Sequence, residues 1–261
     1  MSLATPSLDR PLGAGIDPAE WGLRVKLAAA YRLVAHFGWT EQIYGHLTAR
    51  VPGPVDHFLI NPWGLNYDEI TASNLVRIDV DGNVVGGGAH AVNFAGFIIH
   101  SAIHMTRSEE NLVVMHTHTR AGMAIAALAD GLLPISMFAT VFHNRIGYHD
   151  YEGASLYRDE RARIVASLGP HKAMILRNHG LLVVGRSVAD CFLRLYRLER
   201  ACQVQLDAAA AGTLALIPPA VVERSAADLD SYQGMQPRPE GEIEFAALMR
   251  TLDKTDTSYR D

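Results

Sequence analysis

The sequence predicts a single α/β sandwich, a partly antiparallel sheet flanked by helices. Three observations point there. Helical and strand-like segments are interleaved without the regular rhythm of a βαβ chain. The strand-like segments are short, and turn signals such as Asp81-Gly82-Asn83 separate them. The composition, 49% apolar and 20% charged over 261 residues, suits a globular chain with a sizeable core.

In chain order, residues 1–16 carry Pro and Gly without periodicity and read as an N-terminal arm. Asp17, Pro18 and Glu20 form a helix start: an N-cap acceptor, a proline in the first turn, and an acid near the positive end of the dipole. That helix is expected to reach about Phe37, with Trp21, Val25, Ala28, Leu33 and Val34 facing inward. HLTARV from His46 and HFLINP from His57 read as strands. Asn74 to Ile78 leads into the Asp81-Gly82-Asn83 turn, and the run Gly86 to Gly88 closes the section. Phe94 to Met105 reads as a helix with His100 and His104 one turn apart on one face. Leu112 to Met115 is a buried strand ending in His116-Thr117-His118; Thr119 to Ala129 is helical, and Pro134 opens another strand. Asp159 to Leu168 is a helix, Ala173 to Leu176 a strand running into Arg177-Asn178-His179-Gly180, and Leu181 to Val184 the next strand. Ser187 caps a long helix reaching about Ala211. The expected organisation is therefore an arm (1–16), one domain (17–212) and a C-terminal extension (213–261) with one helix near Glu242 to Leu252.

Several function classes fall away. The net charge of −5 has no block of like sign behind it, which argues against nucleic acid or an anionic membrane as partner. No apolar run reaches the roughly 18–20 residues of a membrane span. The start, MSLATPSLDRPLGAG, has neither the basic opening nor the apolar stretch of a signal peptide. Cys191 and Cys202 fall on one expected helix, roughly 16 Å apart along its axis, too far to bridge. The expected compartment is the reducing cytoplasm. There is no GxSxG elbow, Walker loop or dinucleotide fingerprint. Lys26, Lys172 and Lys254 lie outside apolar strands, against a Schiff-base lysine.

The histidines carry the chemistry. In VVMHTHTR, His116 and His118 stand at i and i+2, on one face of a strand end. Alone, the pair reads equally as one core and one surface histidine. In ILRNHGLLVVG, His179 marks the point where an apolar strand breaks at Gly180 and resumes, and glycine there permits close backbone approach. Three histidines at the ends of buried strands fit a three-His metal site with open positions for substrate. Neutral ligands leave the ion its full charge, suited to a Lewis acid that holds an enolate oxygen. All-nitrogen ligation favours zinc, with manganese, cobalt or iron also compatible.

Over Trp21 to Gln205 the chain resembles the class II aldolase/adducin family. The resemblance rests on YGHLTAR, INPWGLNYDEIT, VNFAGFIIHSAIH, VVMHTHTR, LLPISM, YHDYEG, ILRNHGLLVVG and LYRLERAC, in that order. It implies a three-layer α/β/α sandwich with a mixed, largely antiparallel central sheet. It also implies a homo-oligomer, often a tetramer with active sites at subunit interfaces, and one divalent ion held by His116, His118 and His179.

The pattern departs from the family's sugar-phosphate aldolases. Their proton-shuttling glutamate, four residues before the histidine aligned with His100, is Gly96 here. Their phosphate-holding residues align with Ile43, His46, Trp63, Phe94 and Ala95, which supply few donors for a dianion. Phe138 falls where those enzymes carry a tyrosine. The expected function is thus a metal-dependent carbon–carbon lyase on a small non-phosphorylated carbonyl or hydroxy-acid substrate, by decarboxylation or aldol cleavage. The alternative is a non-catalytic, adducin-like interaction module with a vestigial metal site. His46, Arg120, Tyr148 and Arg177 are the further catalytic candidates, Arg residues for their bidentate hold on a carboxylate. Each has a structural counterpart: His46 capping a turn, Arg120 as a solvated helix start, Arg177 anchoring a sheet end. His100 and His104 read as helix-face packing, and His143 and His149 as part of an interface loop across which Tyr148 donates a proton.

Overall fold

A computed structural model describes residues 15–86, 91–106 and 108–261. Residues 1–14 of the expected arm and Gly87 and Gly88 of the glycine run lie outside the described residues. The strands are β1 (His46–Arg50), β2 (His57–Ile60), β3 (Val76–Asp79), β4 (Val84–Gly86), β5 (Val113–Thr117), β6 (Ile146–His149), β7 (Ala173–Leu176) and β8 (Gly180–Gly185). They form one sheet in the order β4-β3-β2-β1-β5-β8-β7-β6. Every pairing is antiparallel except β6 with β7. The helices are α1 (Pro18–His36), α2 (Phe94–His104), α3 (Arg120–Ala126), α4 (Met137–Thr140), α5 (Glu160–Leu168), α6 (Val188–Ala211), α7 (Pro219–Gly234) and α8 (Glu242–Asp253).

Alternation along the strands builds the three expected layers. Leu47, Ala49, Val113, Met115, Leu181 and Val183 point to one face, where α1, α3, α6 and α8 cover them with Leu27, Leu33, Ile125, Leu195 and Phe245. Val114, Met174, Leu176, Leu182 and Val184 point to the other, against Ile99 and Ile103 of α2 and Ile164 and Leu168 of α5. Phe58, Ile60, Val76 and Ile78 extend that second face beneath Phe97 and Ile98.

Caps match the residues that predict them. The Asp17 carboxylate accepts from the Ala19 and Glu20 amides, and the Ser187 hydroxyl from the Asp190 amide. Cys191 and Cys202 are buried and unpaired on α6. Other expectations are corrected. Trp21 and Val25 are only partly buried, because the inward stripe of α1 runs through Arg24, Leu27 and Tyr31 instead. Helix α3 ends at Ala126 rather than Ala129. Pro134 opens no strand. The backbone beside it is held by side chains, Leu133 N–H donating to Gln205 Oε1 and Leu132 N–H to the Tyr148 hydroxyl. The strand lies later, at Ile146–His149, within the segment read as an interface loop. Beyond Ala211 there are two helices, not one: α7 buries only Val222 and Ala226, too thin a stripe to register as periodicity.

One buried ion cluster ties α1 to the sheet. Arg24, 2% exposed, donates from Nε to Glu20 at 2.8 Å and from Nη1 to the Ala72 and Leu75 carbonyls at 3.1 and 2.8 Å. Glu20 also accepts from Arg77 at 3.0 Å. Removing one partner strands a buried charge. Arg24→Ala is expected to destabilise the fold by about 3–5 kcal/mol, read as a fall in the urea midpoint; a loss inside the error of the measurement would show the cluster to be incidental.

Candidate metal centre

Backbone register assembles the site. In the antiparallel pairing of β1 with β5, His46 stands directly opposite His116. His118 follows His116 by two residues, so both leave the same face of β5. Strand β8 lies on the other side of β5, with Thr117 opposite Leu181. The short turn between β7 and β8 carries His179 inward. Asn178 there adopts a left-handed φ of 56°, a conformation that asparagine tolerates, and His179 N–H closes the turn on the Leu176 carbonyl at 3.0 Å. Gly180 is required by contact: a Cβ at that position would stand 2.4 Å from the Thr117 carbonyl oxygen and 3.2 Å from the His118 ring.

The three imidazoles converge through Nε2. His118 Nε2 lies 2.8 Å from His116 Nε2 and 2.9 Å from His179 Nε2, and the ligating nitrogens all fall within 4.8 Å of one another. Two nitrogens about 2.0–2.1 Å from a shared ion, at roughly a right angle, stand about 2.9 Å apart, so the donor set fits a divalent cation. His116 is also pre-set for ligation. Its Nδ1–H donates to the Leu181 carbonyl at 2.8 Å, which leaves the lone pair on Nε2. Burial holds the His116 imidazole well below its ordinary pKa, reinforced by His118 and His179. Burial lowers His118 too, against the opposing pull of Glu41, and lowers His179 to about 4. All three are neutral near pH 7, the state a metal needs.

These histidines line a cavity of about 390 Å³ shared with His46, Asn93, Tyr44, Trp63, Met123 and Tyr151. Tyr44 and Trp63 meet edge to face at 5.8 Å between ring centroids, and the Tyr151 ring lies 6.3 Å from that of His179. No Lys or Arg lines the cavity among the described residues.

Of the catalytic candidates, only His46 joins the triad. Its ring stacks 6.0 Å from His116, and Asn93 Nδ2 lies 3.0 Å from its Nε2. Burial holds its pKa well below the ordinary value, with His100 next in effect. Arg120, at the exposed start of α3, lines a separate cavity with Trp39, Thr119 and Glu199. Tyr148 faces away: its hydroxyl accepts from Leu132 N–H at 3.1 Å and its ring carries the Arg177 guanidinium at 4.7 Å. Arg177 also donates to the Leu128 and Ala129 carbonyls, both at 3.3 Å, and so holds a turn. His100 and His104 pack inside, bonded to Thr48 at 2.7 and 2.8 Å. His143 sits at the surface beside Asn144, while His149, in β6, bonds Ser167 at 2.9 Å.

Gly96 explains the position of His46. A Cβ on Gly96 would lie 2.4–2.6 Å from Cδ2, Nε2 and Cε1 of the His46 ring. The imidazole therefore fills the space that a side chain on α2 would take. Three residues not singled out from the sequence as site residues complete the lining: Asn93, Tyr151 and Asn178. All three lie within the motifs that carry the family resemblance, but no periodicity marks them as inward.

A model of the class II aldolase and adducin N-terminal domain matches residues 25–206. A crystal structure of an aldolase II superfamily protein from Pseudomonas syringae is 47% identical, superposes with a TM-score of 0.90, and is matched over 96% of this chain and 99% of that one. L-fuculose 1-phosphate aldolase from Glaciozyma antarctica is 30% identical with a TM-score of 0.80, over 97% of each chain. Rat alpha-adducin is 43% identical over 91% of this chain, which corresponds to 34% of the adducin.

Two outcomes test the geometry. Purified protein loaded with zinc is expected to retain about one ion per chain by elemental analysis, and His116→Ala or His179→Ala to lose it while keeping a native circular-dichroism spectrum. Retention of metal by both variants would refute the centre. Separately, Gly96→Ala is expected to cost about 1–3 kcal/mol by overpacking against His46. In a His46→Ala background the same change should become neutral or stabilising, and an undiminished penalty there would show that the two residues do not share the space.

Proposed function

Because the chain belongs to the class II aldolase and adducin family, matched over residues 25–206, we propose that it is a divalent-metal-dependent carbon–carbon lyase. Its substrate is a small, non-phosphorylated carbonyl compound or hydroxy acid. The observation that carries this reading is the meeting of three neutral imidazole nitrogens at the wall of a 390 Å³ cavity. His116, His118 and His179 hold the ion, with zinc the metal we favour for an all-nitrogen set. When bound, the ion supplies Lewis acidity to a substrate oxygen.

The remaining roles belong to side chains of the chain itself. His46, beside His116 and bonded to Asn93, is the titratable group facing the cavity where the sugar-phosphate aldolases carry an acid on α2. It is our candidate for moving a proton to or from the reacting carbon, at Nε2. Tyr44, Trp63 and Tyr151 offer aromatic walls to a flat, conjugated substrate such as a hydroxy-aromatic acid, which favours decarboxylation over sugar cleavage. The lack of cationic side chains among the described lining residues disfavours a phosphate dianion. Arg120 is exposed and remains free to reach a neighbouring subunit's cavity in a homo-oligomer, for which we propose a tetramer in the cytoplasm. Tyr148 and Arg177 engage each other and the Leu128–Leu132 turn, and we assign them to positioning that turn.

A second reading, a non-catalytic interaction module, draws on the 43% identity to alpha-adducin and on Gly96. The zinc-loaded chain is to be screened for carbon dioxide release from hydroxy-aromatic and 3-oxo acids. Cleavage or condensation of aldehydes with pyruvate or glycolaldehyde is to be assayed beside it. We expect turnover in one arm, abolished by His116→Ala and cut at least about 10²-fold by His46→Ala, in line with general acid–base groups. Efficient turnover of L-fuculose 1-phosphate would overturn the non-phosphorylated assignment. Silence in every arm from a metal-loaded protein would favour the module.

A further inference from the structure

Glu199, on α6, is a buried carboxyl group that the proposed chemistry does not use. It stands in LYRLERAC, one of the stretches that carry the family resemblance, yet it does not line the metal cavity. It is 1% exposed, and burial holds its pKa above the ordinary carboxylate value. Neutral donors hold its two oxygens. The Thr119 hydroxyl lies 2.5 Å from Oε2, and the Gln203 amide donates to Oε1 at 2.8 Å. A carboxyl group at that depth is costly where an apolar side chain would pack freely.

What Glu199 holds is the residue next to a candidate ligand. Thr119 follows His118 directly and opens α3. Its hydroxyl has one proton, given to Glu199, and its oxygen accepts from Gly122 N–H at 3.0 Å, which caps the helix. Helix α3 then meets the supports of the other two histidines. At its middle, Gly122 approaches β8 so closely that a Cβ would stand 2.7 Å from Leu181 Cγ, and the Leu181 carbonyl is the acceptor that orients His116. At its end, the Ala126 carbonyl accepts from Asn178 N–H at 3.0 Å, in the turn that carries His179. His118 depends on this helix most directly. Its Nε2 faces the other two imidazoles, and its Nδ1 has no hydrogen-bond partner among the described residues. Packing and the backbone that Thr119 continues therefore place its ring.

We infer that Glu199 is a positioning residue of the metal centre: through Thr119 it anchors the start of α3 to α6 and so fixes the backbone that presents His118. A hydrogen bond suits this task because it is directional. It pins the Thr119 hydroxyl, and with it the helix cap, where an apolar contact would let α3 slide along α6. This role rests on the proposed metal centre. Metal affinity is measured without substrate, so the role is independent of which reaction the centre performs.

Zinc affinity of the full chain, read by competition with a chromophoric chelator, tests the role. Glu199→Leu and Thr119→Val are each expected to weaken zinc binding about 10–100-fold and to change the visible absorption of the cobalt-loaded chain. Glu199→Gln, whose amide oxygen still accepts from Thr119, and Thr119→Ser, which keeps the hydroxyl, should stay near the wild type in both measurements. The double variant should fall well short of the product of the two single effects, because both changes break one bond. Urea unfolding of the metal-free variants separates positioning from stability. A lowered urea midpoint with unchanged zinc affinity would overturn the inference, as would Glu199→Gln losing as much affinity as Glu199→Leu. Should Glu199→Leu fail to fold, Thr119→Val against Thr119→Ser decides. A wild type that holds no zinc removes the metal reading itself, whereas a wild type that binds zinc beside variants that bind it equally well removes only the role of Glu199.

Discussion

The constraint on which everything else rests is the pairing of β5 with its two neighbours. Strand β5 takes β1 on one side and β8 on the other, both antiparallel. Its register fixes His46 beside His116 and places the β7–β8 turn, with His179, beside His118. Because side chains alternate with a period of two, a slip of one residue would send His116 and His118 to the opposite face and into the layer of α1 and α6. The polar end of the strand opposes such a slip, because both faces of β5 are otherwise apolar. Val113 and Met115 belong to one core and Val114 to another, so what a slip would cost is the burial of the His116 ring in the apolar layer of α1 and α6. The convergence of the three histidines is therefore inherited from sheet packing.

Close backbone approach is the second requirement. Gly180 lies where a Cβ would strike the Thr117 carbonyl, and Gly45, at φ +84°, where one would meet the Tyr67 hydroxyl at 2.7 Å. Both flank histidines that point into the cavity. Gly96 belongs to the same economy of space but acts differently. It lets a side chain from the sheet occupy volume that a helix side chain would fill. The side chain at this part of the cavity wall is thereby an imidazole from a β-strand rather than a group from α2. At neutral pH a buried imidazole is uncharged, whereas a carboxylate at the same place would bring a negative charge beside the three histidines.

How much of this is legible in the sequence depends on the range over which the signal acts. Period-two spacing places His116 and His118 together, and the glycine after His179 signals close approach, because both are local patterns. The sandwich is legible in the interleaving of short apolar strands with helices, since β5, β7 and β8 are apolar throughout and need cover on both faces. Helix α7 escapes because only Val222 and Ala226 turn inward. Pro134 misleads because its neighbours are satisfied by Gln205 and Tyr148, residues whose proximity no local pattern reveals. Asn93 meets His46 from 47 positions away for the same reason. Tyr148 and Arg177 resemble site residues in sequence, since a cation held over an aromatic ring and a cation held ready for substrate have the same composition.

The cost of burying Thr48, His100 and His104 behind His46 bears on what holds the cavity wall in place. A buried polar atom without a partner costs about 1–3 kcal/mol, and replacing both members of a buried pair by apolar groups of similar shape is often neutral or stabilising. The face that holds Thr48, His100 and His104 is otherwise built from Ile99, Ala102, Ile103 and Val114. Valine and leucine at the three polar positions would extend that core without any orphaned nitrogen. A layer selected by packing alone would favour them. What the polar residues supply and apolar ones cannot is a directional tie between β1 and α2, through Thr48 to His100 and His104. Because β1 carries His46 and α2 carries Gly96, that tie holds strand and helix in the relative position that lets the His46 ring fill the space beside Gly96.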